Sequence, residues 1–210
     1  MAAAKARAVI VVEGYIDALA MRQAGLANTV ALMGTAISDY QIALFKRLAP
    51  TAVLMLDGDE GGAQALLRAG ELARPAGLDL LVATLPVGSD PAEVLQRDGA
   101  EAVRERLGTA SAFARFRVRH QVQRADLSSA EGKDRLVGEL RAVFADIPSS
   151  VVREDLLGRV AERLTLPVAL VSSWMPTTEN SAEARHCSPT AATLQRPRAA
   201  HVSAVCWRDA

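Results

Sequence analysis

Residues 9–25 read VIVVEGYIDALAMRQAG. Four consecutive apolar residues, Val9 to Val12, read as a buried strand. The run ends on a carboxylate, Glu13, and then Gly14. Asp17 follows four residues after Glu13, in the first turn of a segment where Ile16, Leu19, Ala20 and Ala24 recur at helical spacing until Gly25. A core strand that ends on one charge and leads into a helix opening on another is half of a strand–helix–strand unit. What those two charges are for is the functional question.

The pattern repeats downstream. Thr29–Met33 is the second strand. Ser38, with Gln41 three residues on, opens a helix by the capping-box pattern, with Leu44, Phe45 and Leu48 as its core stripe. Thr51–Leu56 is the third strand, ended by Asp57. Ala65, Leu66, Ala69, Leu72 and Ala73 form another helical stripe, stopped near Pro75 and Gly77. Leu78–Leu85 is the fourth strand, and Asp90-Pro91 with Glu93 starts one more helix. Continuous apolar strands alternating with amphipathic helices predict an α/β fold: a mostly parallel sheet with helices on both faces. Right-handed crossovers bring all the strand C-termini to one edge, where open sheets of this kind hold their sites.

After about residue 110 the strand signals stop. Ser128 with Glu131 reads as a capping box, and Leu136, Leu140, Val143, Phe144 and Ile147 keep helical period, as do Leu157, Val160, Ala161 and Leu164. About three helices make a small helical subdomain. From Pro167 the periodicity fails, and an Ala-, Pro-, Ser- and Thr-rich tail is expected to be disordered or divergent. The predicted division is residues 1–107, 108–166 and 167–210.

The 210 residues suffice for one well-cored domain with an appendage, and half of them are hydrophobic. Lys plus Arg balances Asp plus Glu at 24 each, so any surface for a polyanion must be local. No apolar run approaches the ~18 residues of a membrane span, and no secretory signal is read. Cys187 and Cys206 are too few and too late for a disulfide framework. With His186 and His201 they match no zinc-site spacing, so no zinc is expected. The expectation is a soluble, reducing-compartment protein without membrane attachment.

Glu13 ends strand one, and Asp57 and Asp59 end strand three in LDGDEGG. In a parallel sheet these carboxylates converge. Two charges ~4 Å apart repel by ~4 kcal/mol at an effective dielectric of ~20, and no basic residue is close in sequence to offset it. A divalent cation would, and hard oxygen ligands suit Mg²⁺. Gly58, Gly61 and Gly62 leave the backbone open, and Gly61 and Gly62 precede a helix whose N–H groups attract phosphate. Each element also has a plainer reading. LDGDEGG suits a turn, Asp17 suits a helix dipole, Asp90 is an N-cap, and Thr35 is a turn residue or a phosphate contact. Arg115, Arg117, Arg119, His120 and Arg124 form a basic run that is either a solvated helix face or a contact with nucleic acid.

VVEGYIDALAM, ALMGTAIS, LDGDEGGAQAL and LPVGSDPAEVL, in this order and spacing, resemble the Toprim domain of bacterial DnaG-type DNA primases. DLSSAEGKDRL and IPSSVVREDLLGRVAERL more loosely resemble the helical subdomain that closes the primase polymerase core. The resemblance covers roughly residues 1–165. It implies the Toprim fold, with Glu13, Asp57 and Asp59 as catalytic metal ligands holding Mg²⁺ or Mn²⁺. Asp17 and Asp90 would be further acidic members. The residue reading itself offers Gly14, Thr35, Gly58, Gly61 and Gly62 as candidates to lie against phosphate, and Arg115, Arg117 and Arg119 as candidates to contact nucleic acid. The implied reaction is nucleotidyl transfer. A primer 3′-hydroxyl attacks the α-phosphate of a ribonucleoside triphosphate on a single-stranded DNA template, with metal activating the attacking oxygen and neutralising the pyrophosphate. The implied partners are template, ribonucleotides, RNA primer and a replicative helicase. The implied setting is a monomer in the bacterial cytoplasm, at the replisome. The zinc-binding domain and basic N-terminal half of such enzymes are not seen, so a fragment or truncated form is expected. A stand-alone Toprim nuclease or phosphohydrolase, and a non-catalytic replisome module, are the alternatives.

Overall fold

In a computed structural model that describes residues 2–34 and 37–177, a short helix, α1 (Ala2–Ala6), leads into strand β1 (Ala8–Val12). Val9 and Val11 point into one hydrophobic layer and Ile10 and Val12 into the other. That two-sided burial is why the run is apolar without alternation. Helix α2 (Tyr15–Gln23), β2 (Thr29–Ala31), α3 (Asp39–Leu48), β3 (Thr51–Leu54), α4 (Glu60–Ala76), β4 (Asp79–Val82) and α5 (Pro91–Gly108) follow. These four strands lie in the order β2-β1-β3-β4, all parallel. Helices α3 and α4 cover one face, through Ile42, Phe45, Ala65, Leu66, Ala69 and Ala73. Met21 of α2 and Val94 and Val103 of α5 pack on the other.

Several expectations need correction. A two-residue strand, β5 (Ser111–Ala112), does occur after residue 110 and pairs antiparallel with Leu81 and Val82 of β4. It is too short to leave a periodic signal. The inward face of α2 is Asp17 and Met21, while Ile16 and Leu19 are more than half exposed. Asp17 binds backbone N–H groups beneath it, and that fixes the helix rotation. In α3 the buried pair is Ile42 and Phe45, while Leu48 faces outward. The Ser38–Gln41 capping box is present as predicted.

The remaining chain is a helical unit of α6 (Phe113–Arg124), α7 (Ala130–Ala145), α8 (Val151–Leu164) and α9 (Val168–Trp174). Its core includes Leu136, Leu140, Val143, Phe144, Leu157, Val160 and Leu164. The N-cap of α7 is Ser129, one residue later than expected, because Ser128 is taken by Asp126. The unit also runs beyond residue 166: Val171 and Met175 are buried in the same core. Arg153, 3% exposed, donates to the carbonyls of Phe144, Ile147 and Pro176, closing the end of α7 and pinning the chain after α9. Two aromatic residues of α6 dock this unit on the sheet. Phe116 enters the sheet core, and the Phe113 ring rests where a Cβ on Gly70 would stand 2.0 Å away. Thr35 and the Cys187–Cys206 tail with its histidines lie outside the described residues.

Candidate functional site

From β1 the chain turns to β2 on one side, then crosses back to place β3 on the other side of β1. The crevice beyond the C-termini of β1 and β3 is therefore the point where the winding reverses, the usual ligand position in open α/β sheets. Glu13 leaves β1 there, and Asp57 and Asp59 follow β3. The link is direct: Glu13 Oε1 accepts from the Asp57 N–H at 3.0 Å.

Asp17 and Asp90 join this edge. Asp17 is 8% exposed; its Oδ2 accepts from Gly14 N–H at 3.0 Å and its Oδ1 from Ala92 N–H at 3.3 Å. It thus ties the α2 N-terminus to that of α5, which is more than a dipole partner does. Asp90 caps α5 in a full capping box with Glu93, and Asp59 caps α4 by accepting from Gly62 N–H at 2.8 Å. The cap reading of Asp90 is correct, the cap at Asp59 was not read from sequence, and both residues still lie on the acidic edge.

Asp57 is the focus. Partial burial, then the negative charges of Glu13, Asp17, Asp90 and Asp59 in that order, push its carboxyl up to about 6. Burial also raises Asp17, against the pull of its backbone hydrogen bonds, and Asp90 raises it further. Asp57 Oδ1 is buried with no hydrogen-bond partner. An orphaned oxygen among five carboxylates is what a divalent cation would complete. Even so, among the described residues no three His, Cys, Asp or Glu side chains stand arranged to hold a metal ion. Glu13, Asp17, Asp59 and Asp90 each have an oxygen committed to a backbone N–H. The donor set fits Mg²⁺ or Mn²⁺ by chemistry.

The glycines do different work from that expected. The N–H groups of Gly14, Gly58 and Gly62 already donate to Asp17, Ser89 and Asp59, so they are not open phosphate donors. What Gly58 and Gly62 supply is close approach. A Cβ on Gly58 would stand 2.0 Å from the Pro86 carbonyl, and one on Gly62 would stand 2.1 Å from the Asp57 carbonyl. A Cβ on Gly61 would meet only the Asp59 side chain, with Oδ1 at 3.3 Å, a tight contact that the carboxylate would have to yield to.

The basic run divides. Arg115 pairs with Asp155 at 2.9 Å and Arg117 with Asp146 at 3.4 Å, both within the helical unit. Arg124 binds Glu60 at 2.7 Å, joining α6 to the start of α4. Arg119 reaches the site instead. A cleft of about 290 Å³ has Asp57 and Asp59 on one wall and Phe116, Arg119, His120 and Gln123 on the other. His120 and Gln123 were not assigned to the site from sequence; their one-turn spacing with Phe116 and Arg119 is the signal that places them there. A cavity of about 560 Å³ between α4, α6 and α7 contains none of the five site carboxylates.

Comparison with known proteins agrees with this geometry. Residues 10–95 match the family model described as Toprim-like, and residues 114–169 match that of the DnaB-helicase binding domain of primase. The DNA primase of Chlamydia trachomatis is 32% identical over 181 residues, which is 86% of this chain and 30% of that protein. The DNA primase of Haemophilus influenzae is 33% identical over 158 residues, 74% of this chain and 27% of that protein. The chain spans less than a third of the length of these curated relatives. A solved DnaG catalytic core superposes with a TM-score of 0.60 at 30% identity, covering 76% of this chain and 53% of that one. The RNA polymerase domain of Mycobacterium tuberculosis primase DnaG, in complex with double-stranded DNA, gives 0.63 at 30% identity, over 79% and 54%. These coverages exceed the α/β part alone, so the likeness runs on into the helices, which also match the helicase-binding model. The chain covers the Toprim region of the bacterial DnaG-type primases.

Proposed function

We propose that this chain is the metal-binding portion of a DNA primase, a DNA-directed RNA polymerase that makes short RNA primers on single-stranded DNA. The observation that carries this reading is Asp57: a buried, unpartnered oxygen at the reversal point of the sheet, surrounded by four carboxylates. Glu13, Asp57 and Asp59 would hold Mg²⁺ or Mn²⁺, with Asp17 and Asp90 behind them. The metal supplies neutralisation of phosphate charge and a more acidic attacking hydroxyl. The chain's residues orient it. Glu13 bridges β1 to the Asp57 backbone, Asp59 starts α4 at the site, and Asp17 fixes α2 against α5. The substrates are a single-stranded DNA template, ribonucleoside triphosphates and the growing RNA primer. The setting is the bacterial cytoplasm at the replisome. Among the described residues, no helix is long and apolar enough to cross a membrane.

The direct test is ribonucleotide incorporation on single-stranded DNA by the purified chain, alone and with a separately supplied N-terminal primase half. Incorporation that is lost in Asp57→Asn supports the proposal. Metal-dependent cleavage of nucleic acid without incorporation would support a Toprim nuclease instead. A second reading rests on the helicase-binding match at residues 114–169: the helical unit contacts a replicative helicase. Binding to such a helicase that survives Glu13, Asp57 and Asp59 replacement by Ala would establish that role separately.

A further inference from the structure

Helix α6 lies antiparallel along α4 and is tied to it near both ends. The Phe113 ring rests against Gly70, and Arg124 meets Glu60. On each helix the two ties are about 15–17 Å apart, so they stand in register. Between them α6 presents Phe116, Arg119, His120 and Gln123 to the carboxylate cleft, opposite Asp57 and Asp59. The tie at Glu60 is dense. Both Glu60 oxygens accept from Arg124 Nη1, at 2.7 and 2.8 Å, and Oε1 also accepts from Gln64 Nε2 at 2.9 Å. Glu60 is the first residue of α4, and Asp59 is the N-cap. The next two residues are Gly61 and Gly62, and glycine is the poorest helix former after proline. The first turn of α4 therefore has little of its own to hold it.

We propose that Arg124 is a positioning residue for the acidic edge. Through Glu60 it holds the first turn of α4, and with it the Asp59 carboxylate, in place for a divalent cation. The proposal rests on the reading of that edge as a metal site. Docking of the helical unit does not need this pair. Phe116 is buried in the sheet core, Phe113 packs on Gly70, and Arg74 pairs with Asp146 at the far end of α4. The side chains of Arg124 and Glu60 are 58% and 61% exposed, and a pair so exposed adds little to overall stability. Its effect is local, on the one turn that begins at the site. The Arg74–Asp146 pair supplies the contrast. It joins the same helix to the same unit, about 21 Å along α4 from Glu60, beside a cavity that contains none of the five site carboxylates.

The test is Mn²⁺ calorimetry on the full 210-residue chain at low salt, where an exposed ion pair is least screened. Arg124→Ala and Glu60→Gln are each expected to weaken Mn²⁺ binding about threefold to tenfold, and the double variant no more than either alone. Arg124→Lys keeps a cation within reach of Glu60 and should stay within about twofold of wild type. Charge alone predicts a different pattern. Arg124 repels a cation and Glu60 attracts one, so Arg124→Ala would tighten binding, Glu60→Gln would weaken it, and the double variant would cancel the two. Arg74→Ala should bind Mn²⁺ as wild type. Hydrogen exchange at the Gly62 and Ala63 amides should quicken in Arg124→Ala and not in Arg74→Ala. Tighter or unchanged binding in Arg124→Ala, or an equal loss in Arg74→Ala, would overturn the proposal and leave the metal reading standing. No Mn²⁺ binding by wild type would remove both.

Discussion

Asp57→Asn isolates the energetic character of the site. The folded state holds the Asp57 proton more tightly than the unfolded chain does, since its carboxyl titrates near 6 rather than in the usual range near 4. Stability from this group is therefore full below about pH 4 and is lost as pH rises through about 6. Two pKa units correspond to about 3 kcal/mol. Solvent screening of a half-open side chain reduces that to about 1–2 kcal/mol. Asparagine keeps the shape and removes the charge. For a chain of this size the expected gain at pH 7.5, without divalent metal, is about 3–6 °C in Tm, falling to about zero at pH 4. Metal reverses the order. A cation at a hundred times its Kd stabilises wild type by about 2.7 kcal/mol, and the variant by much less. Thermal melts at both pH values, with chelator and with Mg²⁺, read all four conditions. A variant less stable than wild type at pH 7.5 in chelator, or a gain that is equal at pH 4, would refute the reasoning.

Three further outcomes follow from the close contacts. Gly62→Ala forces a Cβ to 2.1 Å from the Asp57 carbonyl and should abolish metal binding and lower Tm, whereas Gly61→Ala presses only on the Asp59 side chain at 3.3 Å and should leave Tm near wild type while weakening metal binding far less than Gly62→Ala; calorimetry and melts compare the pair. Gly70→Ala places a Cβ 2.0 Å from the Phe113 ring and should loosen the helical unit from the sheet, read as faster hydrogen exchange in α6 with the strands still protected. Arg153→Ala strips a buried donor from three carbonyls and should cost about 3 kcal/mol, near 10 °C in Tm, without changing metal affinity.

The parallel sheet was legible because burial on both faces writes itself as uninterrupted apolar runs, and Val9–Val12 is the plainest case. The convergence of Glu13 with Asp57 and Asp59 followed from the same topology. Other features depended on contacts that local pattern does not encode. The α2 rotation is set by Asp17 reaching Ala92, 75 residues away, so the apolar Ile16–Leu19 stripe misleads. The glycines signalled an open loop, but only the fold shows that Gly58 and Gly62 are required by carbonyls pressing on them. Two pairs of neighbours on one helix, Arg117 with Arg119 and Arg115 with Arg119, look alike in sequence. Only the positions of Asp155 and Asp146 separate them. Buried Arg153 reads as an ordinary surface charge until the end of α7 is seen above it.

The most direct measurement is calorimetric titration of the purified chain with Mn²⁺ at pH 7.5, beside Asp57→Asn and Asp59→Asn. The account predicts saturable binding by wild type and marked weakening in both variants. No binding by wild type, or wild-type isotherms from both variants, would contradict the claim that this acidic edge is a metal site.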